Sequence, residues 1–483
     1  MKGRKQKISE DTCPQKDRAA LESYAGGQTF LWMTESEDTR GQGERNMLEY
    51  VLSPSNLNAA YQQVVRNKGV GGIDEMEVSE LKDYLRGHKE ELLESVLNGN
   101  YQPQAVKRVE IPKSDGGKRK LGIPTVIDRL IQQAIHQVLT PIYEQQFSDN
   151  SYGFRPKRSA HQALKKVRNY VDAGYDFAVD MDLEKYFDTV NQSKLIEVLS
   201  RTIKDGRVIS LIHKYLRAGV EVGGKFEPTE QGTPQGSPLS PLLGNIMLHE
   251  LDKELESRGH AFVRYADDMM ILCKSKRSAE RTLQHIVPYI ESKLFLRVNK
   301  VKTEIAHVSK LKFLGYGFYR YKGKCRLRVH PKSMSRMKAR LREITSRSNG
   351  KGDAWRKETG NTYISGWVNY YKLADMKSAL EKIDEWYRRR LRMVIWKQWK
   401  RIKTKFANLI KLGVKKAKAW EYANNRVGET GLFPVSTSHT TVRTVRYTAV
   451  PCFTSFDWWM LFSVIRLRNI TLTYLSDSVL FFL

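Results

Sequence analysis

Phe262-Val263-Arg264-Tyr265-Ala266-Asp267-Asp268-Met269-Met270-Ile271-Leu272 sets two adjacent carboxylates between two apolar runs of strand character. This pattern predicts a β-hairpin with the acids at its turn. Charges held among β-formers must be met by water or by a cation, because an unpaired carboxylate is costly to bury. A solvated Asp-Asp turn is the bland alternative, so the pair needs a distant partner before it can be read as a metal site. Upstream, Phe177-Ala178-Val179-Asp180-Met181-Asp182-Leu183-Glu184-Lys185-Tyr186-Phe187-Asp188 reads as a second apolar strand ending in acids, followed by a helix from about Asn191 to Leu199. Side by side, the two strand ends would bring three carboxylates together. These are the hard oxygen ligands that two Mg²⁺ ions need when they share a substrate phosphate.

More motifs stand around this pair. Ile111-Pro112-Lys113-Ser114-Asp115-Gly116-Gly117-Lys118-Arg119 and Ser151-Tyr152-Gly153-Phe154-Arg155-Pro156 precede it. Gln231-Gly232-Thr233-Pro234-Gln235-Gly236-Ser237-Pro238-Leu239-Ser240 lies between the acids, and Lys310-Leu311-Lys312-Phe313-Leu314-Gly315-Tyr316 closes the series. In this order and spacing the chain resembles the reverse transcriptases and maturases encoded by group II introns, over roughly Leu52 to Asn425. The resemblance is to the bacterial type that lacks a His-Asn-His endonuclease. It implies an α+β right-hand polymerase with fingers, palm and thumb, a helical amino-terminal extension, and an all-α thumb or maturase domain X.

Composition agrees with a nucleic-acid partner without naming one. The chain has 483 residues and a formal net charge of +29 spread along its length, which calls for a polyanion. Hydrophobic residues make up 40%, enough for packed cores and against a disordered chain, and the length suggests two to four domains. Cys13, Cys273, Cys325 and Cys452 are far apart with no Cys-x-x-Cys pair, so neither a disulfide framework nor a zinc knuckle is expected. The amino terminus has no apolar core of a secretory signal, and the apolar run from Trp458 to Ile465 is too short to span a bilayer. A cytoplasmic protein with no membrane partner is therefore expected.

Along the chain, residues 1–46 read as a disordered leader, 47–105 as the helical extension of the fingers, and 106–320 as fingers and palm. A strand is expected at Arg108 to Ile111 and a helix at Asp128 to Leu139. Residues 330–426 read as thumb and domain X, with helices at Lys332 to Ile344, Thr362 to Leu373 and Leu380 to Arg401. The last carries an apolar stripe at Ile383, Trp386, Tyr387, Leu391, Val394, Ile395 and Trp399, flanked by basic residues. It suits packing on the palm along a phosphate backbone. Residues 427–483 break the pattern, since no lysine follows Lys418, and either a divergent DNA-binding region or a shift of reading frame would account for them.

The resemblance implies roles for particular side chains. Asp182, Asp267 and Asp268 would be catalytic, the first two bridging two Mg²⁺ ions (Mn²⁺ could substitute) and the third binding more weakly, with the carbonyl of Leu183 completing the metal set. Asp180 and Asp188 are set aside, although strand alternation puts Asp180 on the face of Asp182. Phe187 would abut the sugar 2′ position as a steric gate, and Lys113 and Arg119, on neighbouring strands of a hairpin, would face the triphosphate. Gln235, Tyr265 and Ala266 would line the nucleotide site, Arg155 would contact template or nucleotide, and Lys302 would assist the pyrophosphate or form a plain salt bridge. Arg388, Arg389, Arg392, Lys397 and Lys400 would contact RNA or DNA.

The implied function is RNA-directed DNA synthesis combined with maturase binding of the intron RNA, promoting splicing and intron mobility. The partners would be group II intron RNA, an RNA template with its DNA primer, dNTPs and target DNA, with no DNA cleavage by the protein itself. Two rivals remain at this point. One is a reverse transcriptase of a retron or diversity-generating element; the other is a maturase that binds RNA without polymerising.

Overall fold

The computed structural model of the chain describes residues 46–112 and 117–424. The expected leader apart from its last residue Asn46, Lys113, and the segment 427–483 with its two explanations lie outside the described residues. Strands in chain order are β1 Val106–Pro112, β2 Lys118–Ile123, β3 Phe177–Met181, β4 Val220–Val222, β5 Lys225–Glu227, β6 Ala261–Tyr265, β7 Asp268–Cys273, β8 Glu304–His307, β9 Lys312–Phe313, β10 Tyr316–Tyr321 and β11 Lys324–Val329. Two compact units emerge. Among the described residues, one comprises the chain to Pro156 with Leu183–Arg258 and His285–Asn299; the other comprises Lys157–Asp182, Gly259–Gln284 and the described residues from Lys300 onward.

The first unit is organised around the helix Val126–Glu144, which buries residues on nearly every side. Thr125 caps it, its Oγ1 accepting the Asp128 amide at 3.2 Å. The sequence-based expectation ends this helix at Leu139, two residues before Pro141. The helix instead runs three residues past the proline, and Tyr143 beyond it is buried at 2% exposure, so packing outweighs one lost backbone bond. Helix Pro54–Asn67 packs alongside, with Asn56 Nδ2 donating to the Ala134 carbonyl at 3.1 Å. A four-stranded sheet ordered β2-β1-β4-β5 completes this unit, with β1 and β2 antiparallel and β1 and β4 parallel.

In the second unit the central sheet runs β6-β7-β3-β8, every neighbour antiparallel. Met269 to Cys273 of β7 are all buried, which is why the strand reads as a continuous apolar run. Helix Ala160–Asp172, opened by a Ser159/Gln162 capping box, lies on β6 and buries Ala163, Leu164, Val167 and Val171. A smaller sheet, β11-β10-β9, leads into helices Pro331–Ile344, Asp353–Tyr370, Lys377–Gln398, Ile402–Lys411 and Lys416–Asn424. The second of these starts nine residues before the expected Thr362. Its first turns are polar, and it is Arg356, buried and bonded to Asp353 and Asn349, that packs there rather than an apolar stripe.

The turn between β9 and β10 is pinned to these helices. Gly315, with φ of 83°, lies so close to Tyr371 that an added Cβ would stand 2.5 Å from its hydroxyl. The Tyr370 hydroxyl donates to the Leu314 carbonyl at 2.9 Å. In Lys377–Gln398 only Leu380, Ile383 and Val394 are buried; the rest of the expected stripe is half-buried. Trp386 of that helix lies beneath the guanidinium groups of Arg342 and Arg390, at 5.5 and 5.6 Å from the ring centre.

Candidate active site

The hairpin of β6 and β7 closes at the pair Tyr265↔Asp268, leaving Ala266 and Asp267 as its two-residue turn. Ala266 has φ of 57°, a left-handed conformation that a β-carbon disfavours. Arg264, wholly buried, donates from Nη1 to the Ala266 carbonyl at 3.1 Å and ties the turn to the strand beneath it. No motif reading singled out Arg264; its signal was a cation inside an otherwise apolar strand.

Strand β3 lies directly beside β7, in a register that ends at Met181↔Met269. The next pair along that register is Asp182 with Asp268, so the two expected acids meet across the sheet. On its other side β3 pairs with β8, Asp180 opposite Glu304, which brings Thr303 and Lys302 up to Asp182. The Asp182 amide donates to Thr303 Oγ1 at 3.3 Å, and Lys302 Nζ lies 3.6 Å from Asp182 Oδ2. Lys302 therefore makes the salt bridge that was the plainer of its two readings. Thr303 was not foreseen.

Electrostatics mark this sheet end as a place of crowded negative charge. Burial, then repulsion from Asp267 and Asp182, pushes the Asp268 carboxyl up to about 6. Its side chain still reaches solvent, so it is accessible to a ligand while surrounded by enough protein to be poorly hydrated. Burial pushes Asp180 up to about 7, with Asp268, Glu304 and Asp182 adding repulsion. Asp180 thus shares the face of Asp182, as strand alternation requires, but is the acid most inclined to hold its proton. Lys312 from β9 carries positive charge toward both Asp268 and Asp180.

Among the described residues no three Asp, Glu, His or Cys side chains stand close enough to form a ready-made metal cage. The acids here are neighbours that repel one another. Their hard oxygens and mutual repulsion are what a divalent cation would relieve, so the donor set fits the expected ions in kind.

Leu183, Phe187, Gln235, Arg119 and Arg155 fall in the first unit. Leu183 is buried and bridges to Val298. Phe187 is half-buried, edge-on to Tyr186 with ring centres 5.2 Å apart, above Gly244, where a Cβ would come within 3.2 Å of its ring. Thr233 donates its amide to the Phe187 carbonyl at 2.7 Å, locking the Gly232-Thr233 turn against it. Gln235 reaches Asp188 at 3.5 Å, the limit of a hydrogen bond, and Gly236 next to it packs so tightly that a Cβ would meet the Gly122 carbonyl at 2.6 Å. Arg119 pairs with Ile111 across the β1/β2 hairpin and is exposed.

Arg155 corrects an expectation. Instead of facing template or nucleotide, its guanidinium is buried: Nε and Nη2 fork onto Glu144 at 3.0 Å each, and Nη1 donates to the carbonyls of Ser148 and Ser151. The motif marks a rigid loop whose backbone carbonyls need that fork. Of the basic residues on Lys377–Gln398 and just beyond, Arg389, Lys397 and Lys400 are exposed, Arg392 is half-buried, and Arg388 pairs with Asp384 at 2.7 Å.

Residues 111–318 match the reverse transcriptase (RNA-dependent DNA polymerase) family, and residues 334–413 match the group II intron maturase-specific domain. Protein YkfC of Escherichia coli is 33% identical over 317 residues, covering 57% of this chain and 83% of that protein. The group II intron-encoded protein LtrA of Lactococcus lactis is 33% identical over 342 residues, but the match spans 56% of this chain and only 56% of LtrA. A solved chain described as part of a partial Cas6-RT-Cas1–Cas2 complex is 26% identical, covering 51% of this chain and 43% of that one, with a TM-score of 0.33. Among the described residues no helix is long and apolar enough to cross a membrane. The order of motifs along the sequence, the pairing of the two acid-bearing strands, the two family matches and the relationship to YkfC agree that the chain belongs to the family of group II intron-encoded reverse transcriptases and maturases, in which an RNA-dependent DNA polymerase domain is followed by a maturase-specific domain.

Proposed function

We propose that this chain copies RNA into DNA with Asp182, Asp267 and Asp268 as its catalytic carboxylates, and that its maturase domain binds a group II intron RNA to promote splicing and mobility. The observation that supports the reading is the β3–β7 register, whose last pair Met181↔Met269 leads on to Asp182 and Asp268, carboxylates near enough to repel. When bound, two Mg²⁺ ions supply Lewis acidity to the attacking primer 3′-oxygen and the leaving pyrophosphate. Asp182 and Asp267 would hold both ions and Asp268 one, with the Leu183 carbonyl contributing a neutral oxygen. Arg264 holds the turn from below, so the carboxylates need not reorganise as charge develops. The Lys302 ammonium, 3.6 Å from Asp182 Oδ2, would follow negative charge onto the departing phosphates.

In this reading Lys113 and Arg119 take the triphosphate, Gln235, Tyr265 and Ala266 orient the nucleotide, and Phe187, fixed by Tyr186 and Gly244, excludes the 2′-hydroxyl. Arg155 is left out because its donors are committed internally. Residues 47–105 would extend the fingers, 106–320 form fingers and palm, and 330–426 the thumb and domain X, whose Arg389, Arg392, Lys397 and Lys400 would meet phosphates. RNA template, DNA primer, dNTPs, intron RNA and target DNA are the partners. The test is primer extension on poly(rA) with oligo(dT) and Mg²⁺. Wild type should synthesise, Asp182→Asn and Asp268→Asn should lose about a thousandfold in rate without loss of folding, and Phe187→Ala should admit ribonucleotides. Undiminished synthesis by either Asn variant would overturn the site, and absent synthesis by wild type with splicing assistance intact would favour the RNA-binding rival.

A further inference from the structure

Phe154 holds a backbone conformation that its side chain opposes. Its φ is 55°, in the left-handed region that bulky residues with a β-carbon avoid and that glycine or asparagine would occupy with less strain. Burial does not compensate, because the ring is 52% exposed. Its neighbours are the reverse: Ser151, Tyr152 and Arg155 are 0%, 6% and 7% exposed. Both flanks are fastened by buried bonds, Asn245 Nδ2 to the Gly153 carbonyl at 2.8 Å before it and the Arg155 fork on Glu144 after it. The loop is therefore rigid, strained, and shaped so that one aromatic ring faces solvent.

We propose that Phe154 is a fixed stacking platform for an unpaired nucleobase of the RNA strand this protein holds, an inference that rests on reading the chain as a nucleic-acid polymerase and that names a contact on its ligand. A lone rigid ring suits a flat base, because either base has a π-face to offer and the ring loses no freedom on binding. A protein partner would need a contiguous patch rather than one ring. The charge of +29 selects a polyanion, and in sequence two cations follow at once, Lys157 and Arg158. Aromatic and basic residues interleaved in this way are the composition of single-strand binding surfaces.

The test compares wild type, Phe154→Asn and Phe154→Trp in the full chain, using short single-stranded oligo(rU) with a fluorescent adenine analogue at its centre and, as control, a fully paired RNA duplex. Stacking quenches the analogue. Phe154→Asn should melt at or slightly above the wild-type temperature, bind the single strand about tenfold more weakly and lose the quench, while Phe154→Trp keeps both. Duplex affinity should be the same in all three. A lower melting temperature for Phe154→Asn would make the ring structural, and unchanged quench, or an equal loss on duplex, would equally overturn the proposal. Primer extension by the same wild-type preparation is scored separately: no synthesis with the quench intact strikes the polymerase reading and leaves the platform standing.

Discussion

Replacing Arg155 with Ala separates the role its motif suggests from the role its surroundings show. The guanidinium is 2% exposed and forks onto Glu144, 23% exposed, at 3.0 Å, with further donors on the carbonyls of Ser148 and Ser151. Truncation leaves a mostly buried carboxylate without its cation and two carbonyls without donors. Breaking a buried pair in this way costs about 3–5 kcal/mol, and water entering the vacated space limits the extra loss from the carbonyls. At roughly 2–4 °C per kcal/mol, the melting temperature should fall by about 10 °C. Arg155→Lys should recover little, because a lysine cannot fork onto a carboxylate while donating to two carbonyls. Thermal melting of the full chain reads this directly, with steady-state dNTP kinetics below the melting transition as the second measurement. An Arg155→Ala variant that melts like wild type but shows a raised KM for dNTP would refute the structural assignment and restore the nucleotide contact.

Asp128 supplies a pH dependence. It is 1% exposed, accepts from Tyr101 and Thr125, and burial raises its pKa above the ordinary 3.8 despite those bonds. Because the folded state takes up this proton first, the stability that wild type holds relative to Asp128→Asn should grow as pH falls through the raised value toward 3.8. Urea midpoints of the two proteins across pH measure it, and a constant difference would remove the assigned shift. For RNA binding, the exposed Lys397 and Lys400 should contribute to counterion release. Replacing both with Ala should flatten the slope of log affinity against log salt by about 1 to 2, similarly for cognate and unrelated RNA; an unaltered slope would move the phosphate contact elsewhere.

Much of the site was legible in the sequence because its chemistry is local. An acid pair bounded by β-branched and aromatic runs reads as a hairpin turn wherever it sits, and Tyr265↔Asp268 closes where the pattern predicts. The body of the helix from Asp128 to Leu139 and the strand Phe177–Met181 follow from equally local periodicity. Legibility stopped where a side chain's role depends on what packs against it. Arg155 in its motif reads the same whether it meets a phosphate or a carbonyl, and Arg264 in an apolar strand gives no hint that it braces Ala266. Trp386 and Arg390 read as an apolar stripe beside a basic flank, yet they stack together, and Arg390 bonds Thr345 at 2.7 Å.

Sequence by itself determined most of the elements, the candidate acids and the family, since hydrophobic period and motif order are properties of the chain taken in one dimension. The neighbours of β3 were decided only by the tertiary structure. With β7 on one side and β8 on the other, Asp182 faces Asp268 and receives Lys302 and Thr303, residues more than eighty positions away in the chain. The same placement separated Asp182 from Asp180. Both carboxylates lie on one face, but burial, which depends on everything packed around Asp180, together with repulsion from Asp268, Glu304 and Asp182, drives Asp180 toward its protonated form, while Asp182 has Lys302 at 3.6 Å.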